Sequence, residues 1–377
     1  MVKLFFWSPH IDPQIATVKS VYNSINSLSK HEKKVKITLL NVFGEWDKFS
    51  FNNIDVIKLI IRRQIIKKKF KGFINSRVLY FRILLQSYFP LKKIIKNENP
   101  NYLIIHLLTI IPIILFIFNN FQTKLILRIS GLPKLNIFRY FIWKIASRKI
   151  YYIICPTEET KNLLIKKNIF NPNKIICIQD PIFNIKRINI EKKKPLEEKY
   201  EKSYFLSVGR FTKQKNHQFL LNFFSKNRKY LKDISLLVIG NGEYEKKYKK
   251  FIKKNNLETE IKILNYKKNV INYIHNAKLI ISCSLWEDPG FIMVEAASVG
   301  TPILTSNCPS GPKEFIGNSE NGFIFDTNNE ESFKIALDNF LRSSKKDLNY
   351  KLICAKKKSK QYTGIYNANK IYNLLKI

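Results

Sequence analysis

The sequence predicts an α/β protein made of two doubly wound domains, each a mostly parallel sheet covered by helices. Short apolar runs rich in Ile, Val and Leu recur along the whole chain and alternate with longer mixed segments. Strands that are buried on both faces have continuous apolar runs of this kind, and their alternation with helical segments is typical of βαβ units. The length of 377 residues exceeds the usual size of one domain.

The apolar runs form two series, which define the expected domains. The first series is LFFW, VKITLLNVF, NYLIIHLL, KLILRIS, YYIICPT and KIICIQD; the second is YFLSVGR, ISLLVIG, EIKILNY, KLIISCS, TPILTS and GFIFD. The segment between them is highly charged and contains Pro195, as an inter-domain linker would. We therefore expect a domain at 1–185, a linker at 186–203, a second domain at 204–355, and a helix at 356–377 that packs back on the first domain.

Composition narrows the class of protein. Hydrophobic residues make up 45% of the chain, which is ample for two cores and excludes general disorder. The five cysteines are scattered and lack the spacing of a disulfide framework or a zinc site, as expected in a reducing compartment. The opening stretch has no apolar run long enough for a secretory signal. We therefore expect a cytoplasmic protein, with peripheral attachment to the inner face of the cytoplasmic membrane as an open alternative.

Residues 102–118 form the longest apolar run, close to the lower limit of a membrane-spanning helix. His106 and Pro112 interrupt this run. The sequence here predicts a buried strand followed by a buried helix rather than a membrane span.

The net charge of +38 indicates anionic partners: nucleic acid, an anionic membrane surface or phosphorylated substrates. The alternative explanation of this charge is AT-rich coding, which makes a chain rich in Lys, Ile and Asn together. No nucleic-acid-binding module is recognisable, so we expect no nucleic-acid partner. The segment 58–71 carries seven cations and no acid among apolar residues. It fits either an anionic lipid surface or an ordinary solvated helix face.

Two glycine-containing strand ends in the second half suggest a phosphate site. In SVGRFTKQKN, Gly209 ends a strand, and Arg210 and Lys215 supply a planar fork and a mobile point charge for phosphate oxygens. In LLVIGNGEYE, Gly240 and Gly242 permit close approach of the backbone to a ligand. Surface cations and a strand-to-helix turn are common in any such chain, so neither pattern is specific alone.

The strongest signal lies in WEDPGFIMVEAASVGTPILTSNCPSGPKEF at 286–315. A loop holding Glu287 precedes a helix that begins near Phe291 and carries Glu295. Amides at the start of that helix are suited to a phosphate, because the helix dipole is positive there. One of the two carboxylates could face a sugar, while the other accepts hydrogen bonds from ribose hydroxyls. The alternatives are a solvated turn for Glu287 and simple helix stabilisation for Glu295.

These motifs together resemble the retaining glycosyltransferases of family 4, which have the GT-B fold of two Rossmann-like domains facing a central cleft. The family pattern is G-R-(L/F) with a downstream Lys, then V-x-G-x-G, then S-x-x-E-x7-E followed by A-x-x-x-G-x-P-(V/I). Residues 204–326 match it nearly throughout. Many members read E-G-F-G after the first Glu, whereas this chain reads EDPGF, and Asn265 stands where a Gly is common.

The resemblance implies a site for a nucleotide-diphosphate sugar in the second domain. Glu287 would contact the transferred sugar as a catalytic residue, and Glu295 would bind the ribose. The remaining implied donor contacts are Arg210 and Lys215 on the diphosphate, the amides of Gly290 and Phe291 on the distal phosphate, and Tyr266 and Lys267 beside the base.

The first half, implied to bind the acceptor, matches the family more weakly. His106 follows the run NYLII, where members often present a His to the donor sugar; the alternative is a core His satisfied by hydrogen bonds. Further candidate contacts in strand-end loops are His10, Asp12, Gln14 and, in RISGLPK, Arg128.

The activity implied is retaining transfer of a hexose or N-acetylhexosamine from a UDP-sugar to a glycan or lipid-linked acceptor. Such acceptors occur in lipopolysaccharide, O-antigen or capsule synthesis. The sequence has no Asp-x-Asp cluster near the donor segment, so we expect neither a metal nor another cofactor. The alternatives are a GT-B nucleotide-sugar epimerase and a basic protein that binds nucleic acid or membrane.

Overall fold

The chain folds into two compact units. A computed structural model describes residues 1–11, 16–31, 35–59, 73–131, 133, 135–198, 200–287 and 290–377. The first unit comprises residues 1–182 and 364–377, and the second comprises residues 183–363. Most of the basic segment 58–71, together with Asp12, Gln14 and Asp288, lies outside the described residues.

The first unit is built on a parallel sheet, with seven strands among the residues that are described. These are β1 (Val2–Trp7), β2 (Val35–Asn41), β3 (Asp55–Lys58), β4 (Tyr102–Ile105), β5 (Lys124–Arg128), β6 (Ile150–Cys155) and β7 (Ile175–Cys177). Their order is β3-β2-β1-β4-β5-β6-β7. The order reverses beside β1, where Leu4 is in register with Ile37 of β2 and with Tyr102 of β4.

Helices cover both faces of this sheet. They are α1 (Ala16–Leu28), α2 (Phe73–Glu98), α3 (Ile110–Phe118), α4 (Ile137–Ala146), α5 (Glu158–Lys166) and, from the chain end, α14 (Gly364–Leu375). Leu4 and Phe6 pack with α1 and α14 on one face, whereas Phe5 and Trp7 pack with α2, α3 and α4 on the other. Successive side chains of a strand point to opposite faces, so a continuous apolar run serves both cores.

The apolar run at 102–118 forms β4, a short loop and α3. The expectation of a buried strand followed by a helix is therefore confirmed. No helix among the described residues has the length and apolar character required to span a membrane.

The second unit has the same doubly wound plan, with six parallel strands in its described part. They are β8 (Ser203–Val208), β9 (Ile234–Ile239), β10 (Ile261–Leu264), β11 (Leu279–Ser282), β12 (Ile303–Ser306) and β13 (Phe323–Phe325), in the order β10-β9-β8-β11-β12-β13. Both sheets confirm the predicted fold class of two Rossmann-like units.

The helices of the second unit begin inside the segment expected to be a linker. They are α6 (Ile185–Glu191), α7 (His217–Lys226), α8 (Glu245–Lys254), α9 (Ile271–Asn276), α10 (Phe291–Val299), α11 (Pro312–Ile316), α12 (Glu330–Arg342) and α13 (Lys345–Ser359). Residues 186–203 differ from the expectation because α6 occupies their start. Asn184 caps α6 by accepting from the backbone N–H of Lys186 at 2.9 Å, and Ile188 is buried.

The chain returns to the first unit at its end. α14 packs along α1, where Ala368, Ile371 and Leu375 join the apolar cluster of β1 and β2. Asn367 donates to the carbonyl of Gln179 at 3.0 Å and accepts from Ser24 Oγ at 2.7 Å.

Candidate active site

The candidate site of the second unit lies where its strand order reverses. β8 pairs with β9 on one side and with β11 on the other. In an open parallel sheet, ligands bind beyond the carboxyl ends of the strands at this reversal point. The loops that leave β8 and β11 there span residues 209–216 and 283–290, and four of the predicted donor contacts lie in them: Arg210, Lys215, Glu287 and Gly290.

The loop after β8 is held against the end of β9 by close backbone packing. Phe211 N donates to the carbonyl of Asn241 at 2.7 Å, and Gly209 N donates to that of Ile239 at 3.0 Å. A Cβ atom at Gly240 would lie 2.0 Å from the carbonyl oxygen of Gly209. Only glycine fits there, which explains the first Gly of the GNG motif.

Gln214 ties the loop after β8 to the loop after β11. Its carbonyl accepts from Leu285 N at 2.8 Å, and its side-chain amide donates to the carbonyl of Trp286 at 2.9 Å. Its other side-chain atom, Oε1, accepts from Arg210 Nη2 at 3.3 Å. The two loops are therefore fixed to one another next to the predicted phosphate contacts.

Lys215 and Glu287 form an ion pair between these two loops. Glu287 is 6% exposed, so its charge depends on nearby partners rather than on water. Ser284 Oγ donates to the same carboxylate oxygen at 2.6 Å, and Ser306 Oγ at the end of β12 donates to the carbonyl of Ser284 at 2.6 Å. This chain of contacts fixes the orientation of the Glu287 carboxylate.

The other predicted phosphate and ribose contacts lie in the loop after β8 and at or within the start of α10. Arg210 is exposed, and Glu295 is half-buried in the second turn of α10. Gly290 precedes α10 with φ 81°, in the left-handed region that favours glycine, and Phe291 is the first helical residue. The first N–H groups of a helix have no acceptor within the helix, so they are suited to an anionic ligand.

Tyr266 and Lys267 lie in the loop after β10. Tyr266 is 61% exposed, which leaves its ring face accessible to a planar ligand. Lys267 forms an ion pair with Glu197 and lies 5.8 Å from the ring centroid of Tyr273. The hydrogen bond to Glu197 raises the pKa of Lys267.

In the first unit, His106 directly follows β4 and is buried. Its ring stacks at 6.1 Å from that of Phe6, and its Nε2 atom has no hydrogen-bond partner among the described residues. Burial and, to a smaller extent, the charge of Arg128 lower the pKa of His106 to about 3, so the imidazole is neutral at neutral pH.

The prediction of Arg128 as a candidate substrate contact is wrong. It is the last residue of β5, 4% exposed, and its guanidinium pairs with Asp180 and donates to the carbonyl of Ile178 at 2.6 Å. It therefore neutralises a buried carboxylate within the first unit rather than offering its fork to a ligand. His10 is also buried, with its ring edge-on to Trp46 at 4.6 Å.

Sequence reasoning missed three residues that shape the site: Gln214, Ser284 and His217. Ser284 is the Ser of the S-x-x-E pattern, so its position was visible although its contact with Glu287 was not. His217 begins α7, and its Nδ1 atom is 3.1 Å from Ser207 Oγ. Burial and then the charge of Lys215 lower the pKa of His217 to about 4.

Residues 188–358 match the model of the family described as Glycosyl transferases group 1. An uncharacterized glycosyltransferase of Methanocaldococcus jannaschii is 26% identical over 328 residues, 80% of this chain and 76% of that protein. The "UDP-Gal:alpha-D-GlcNAc-diphosphoundecaprenol alpha-1,3-galactosyltransferase" of Escherichia coli is 27% identical over 49% of this chain, an alignment that spans only 50% of that enzyme.

Among solved structures, a glycosyltransferase of Rickettsia africae superposes with a TM-score of 0.75 at 16% identity, covering 100% of this chain and 97% of that one. This likeness, together with the two doubly wound sheets, defines the fold as GT-B. With the family match and the named relatives, it identifies the chain as a glycosyltransferase.

Proposed function

We propose that this glycosyltransferase moves a hexose or N-acetylhexosamine from a nucleotide-diphosphate sugar to a glycan or lipid-linked acceptor in surface polysaccharide synthesis. UDP is the expected nucleotide. The name of the Escherichia coli relative, a transferase from UDP-Gal to a diphosphoundecaprenol-linked sugar, supports this donor and acceptor class. The observation that carries the proposal is the linked cluster of Lys215, Glu287 and Ser284 at the strand reversal, beside Arg210 and α10.

The positive groups of this cluster are suited to a departing diphosphate. When the bond between the anomeric carbon and the phosphate oxygen breaks, negative charge develops on the leaving group. Arg210, Lys215 and the amides of Gly290 and Phe291 supply fixed donors for that charge, and preorganised donors stabilise a transition state most effectively. The acceptor oxygen then bonds to the same carbon, and its proton passes to the oxygen of the departing diphosphate.

Lys215 can serve Glu287 and the diphosphate together. An ammonium group has three N–H donors, and the contact with Glu287 uses one of them. The Glu287 carboxylate, held by Ser284 and Lys215, remains an acceptor for hydroxyls of the transferred sugar. In this arrangement Glu295 binds the ribose hydroxyls, and Tyr266 and Lys267 border the base.

His106 is proposed to contact a hydroxyl of a bound sugar substrate. Its pKa of about 3 keeps the ring neutral, and the unpartnered Nε2 atom can exchange a hydrogen bond with a sugar hydroxyl. A buried polar atom without a hydrogen-bond partner destabilises the protein, and a ligand that supplies the missing hydrogen bond offsets this cost.

Retention and independence of metal are parts of the proposal with their own tests. Proton NMR of the first-formed product distinguishes the two anomers, and we expect the anomer of the donor. Transfer rates measured with and without EDTA should be equal. An inverted product or a loss of activity restored by a divalent cation would contradict these parts.

The test of the proposed function is transfer of radiolabelled sugar from UDP-, GDP- and ADP-sugars to undecaprenyl-diphosphate-linked sugar acceptors. We expect one donor to extend an acceptor, and Glu295→Ala to weaken use of that donor. Free isomerised nucleotide sugar formed without an acceptor would instead identify an epimerase. If no nucleotide sugar is used or bound, the proposal is overturned.

A further inference from the structure

Helix α4 presents an apolar side away from the core. It buries Trp143 and Ala146 but leaves four large apolar side chains 59–78% exposed. These are Ile137, Phe138, Phe141 and Ile145. Three of them are spaced four residues apart, so they form one stripe along the helix. A surface helix of a globular protein normally turns such a stripe toward the core.

Helix α2 has a second stripe of the same kind. Phe81, Leu85 and Phe89 are spaced four residues apart and are 58–72% exposed, while Ile83 and Leu91 are buried. α3 contacts both α2 and α4, and its last residue, Phe118, is 75% exposed. All three helices contribute to the same apolar cluster on one face of the sheet. The two stripes therefore belong to one helical layer.

Exposed cations accompany both stripes. Arg82 and Lys93 are exposed on α2, and Lys144 and Arg148 are exposed on α4 and just beyond it. Between Asp55 and Glu158 the sequence contains a single acidic residue, Glu98, whose carboxylate lies 3.6 Å from Lys3 Nζ. We call the two stripes and these four cations the apolar-basic face.

We propose that the apolar-basic face docks on an anionic lipid bilayer. Phe, Leu and Ile side chains enter the boundary between headgroups and acyl chains, and Arg and Lys pair with lipid phosphates above them. A second copy of the chain fits this face poorly, because a symmetric contact would oppose like charges. The inference deepens the proposed function, since a lipid-linked acceptor is presented at a bilayer surface.

Co-sedimentation of the full chain with vesicles, without nucleotide or acceptor, tests the inference. We expect binding to vesicles of phosphatidylglycerol and phosphatidylcholine that weakens with added salt, and much weaker binding to phosphatidylcholine alone. The combined variant Phe138→Ser, Phe141→Ser and Ile145→Ser should weaken binding at least ~10-fold, because it removes buried apolar area. Lys144→Gln with Arg148→Gln should reduce binding mainly at low salt.

The matched control changes exposed apolar residues elsewhere. Ile335→Ser with Ile353→Ser alters two side chains of the second unit that are 55% and 67% exposed, and it should leave vesicle binding unchanged. Wild-type binding by the α4 variant would overturn the inference. So would a wild-type dimer that the α4 variant dissociates, since a second copy would then cover the face. Nucleotide binding by the α4 variant reports separately on the proposed function and should equal that of the wild type.

Discussion

The carboxylate of Glu287 is surrounded by protein and held by a cation and a hydroxyl. Hydrogen bonds to a charged group contribute about 1.5–3 kcal/mol, and the contact from Ser284 is short at 2.6 Å. In the proposed site, this contact keeps the Glu287 carboxylate oriented toward the transferred sugar while Lys215 also binds the diphosphate. Ser284 is therefore a positioning residue for Glu287.

Ser284→Ala should lower kcat by about 10-fold or more and change the donor KM much less. The lost hydrogen bond leaves the Glu287 carboxylate free to reorient, which lowers transition-state stabilisation more than donor binding. Steady-state kinetics with the identified donor measures the change. Ser298→Ala on α10 is the control, since Ser298 donates to the carbonyl of Glu295, whereas Ser284 and Lys215 hold the Glu287 carboxylate. Equal kcat values for Ser284→Ala and the wild type would contradict this role.

The lowered pKa of His106 predicts how stability changes with pH. Between its unfolded pKa of about 6.5 and its folded pKa of about 3, the unfolded state binds the proton and the folded state does not. The neutral His106 therefore costs the folded state no stability above about pH 6.5. Below that pH the free energy of unfolding falls, by up to about 1.4 kcal/mol per pH unit.

Urea unfolding at about pH 7.5 and about pH 5 measures this effect. The wild type should lose about 2 kcal/mol more than His106→Gln over this interval. His275→Gln, which changes an exposed histidine of the second unit, should lose as much as the wild type. Equal losses for the wild type and His106→Gln would show that His106 is not the group responsible.

At the scale of elements, the proposed donor site depends on the contact between the loops after β8 and β9. Gly240→Ala would place a methyl group 2.0 Å from the carbonyl of Gly209, so the loop that carries Arg210 must move. We expect nucleotide binding at least about 10-fold weaker and a stability loss of about 1–3 kcal/mol from overpacking.

The matched control is Gly300→Ala, at the end of α10. Gly300 has a positive φ of 82°, and a Cβ atom there would meet nothing within 4 Å. Backbone strain should cost stability in this variant without changing nucleotide affinity. Calorimetric titration of both variants with nucleotide measures the affinities. Equal nucleotide affinities for Gly240→Ala and the wild type would contradict the proposed role of this loop contact.

The elements also show which parts of the structure follow from sequence. Both sheets were predictable because strands buried on both faces need continuous Ile, Leu and Val runs, as at 102–105. Helix α6 was missed because charge and Pro195 dominated the segment, although Asn184 provides a cap. The outward stripe of α4 could not be predicted, since periodicity identifies an amphipathic helix but not which side packs.

For the site, the spacing of Arg210, Lys215, Glu287 and Glu295 was sufficient to find the loops that approach one another. The contacts between those loops depend on tertiary packing across 72 residues of sequence, as for Lys215 and Glu287. Arg128 was misjudged because its partner Asp180 is 52 residues away and follows a different strand. Local sequence indicates a residue's chemistry, but distant residues determine whether that chemistry is free for a ligand.

At the scale of the whole molecule, the first unit is completed by the end of the chain. Ile371 of α14 is 5% exposed in the cluster with β1 and β2, whereas Ile365 of the same helix is 63% exposed. Ile371→Ala should lower the free energy of unfolding by about 2–5 kcal/mol, and Ile365→Ala by less than about 0.5 kcal/mol. Denaturant unfolding measures both, and similar values for the two variants would contradict the packing of α14.

The central claim is that the second unit holds a nucleotide-diphosphate sugar through Arg210, Lys215 and Glu295. Its most direct test is a thermal-shift screen of UDP-, GDP- and ADP-sugars against the wild type and Glu295→Ala. We predict that one nucleotide class raises the melting temperature of the wild type and that Glu295→Ala loses most of this shift. No stabilisation of the wild type by any of these nucleotides would contradict the claim.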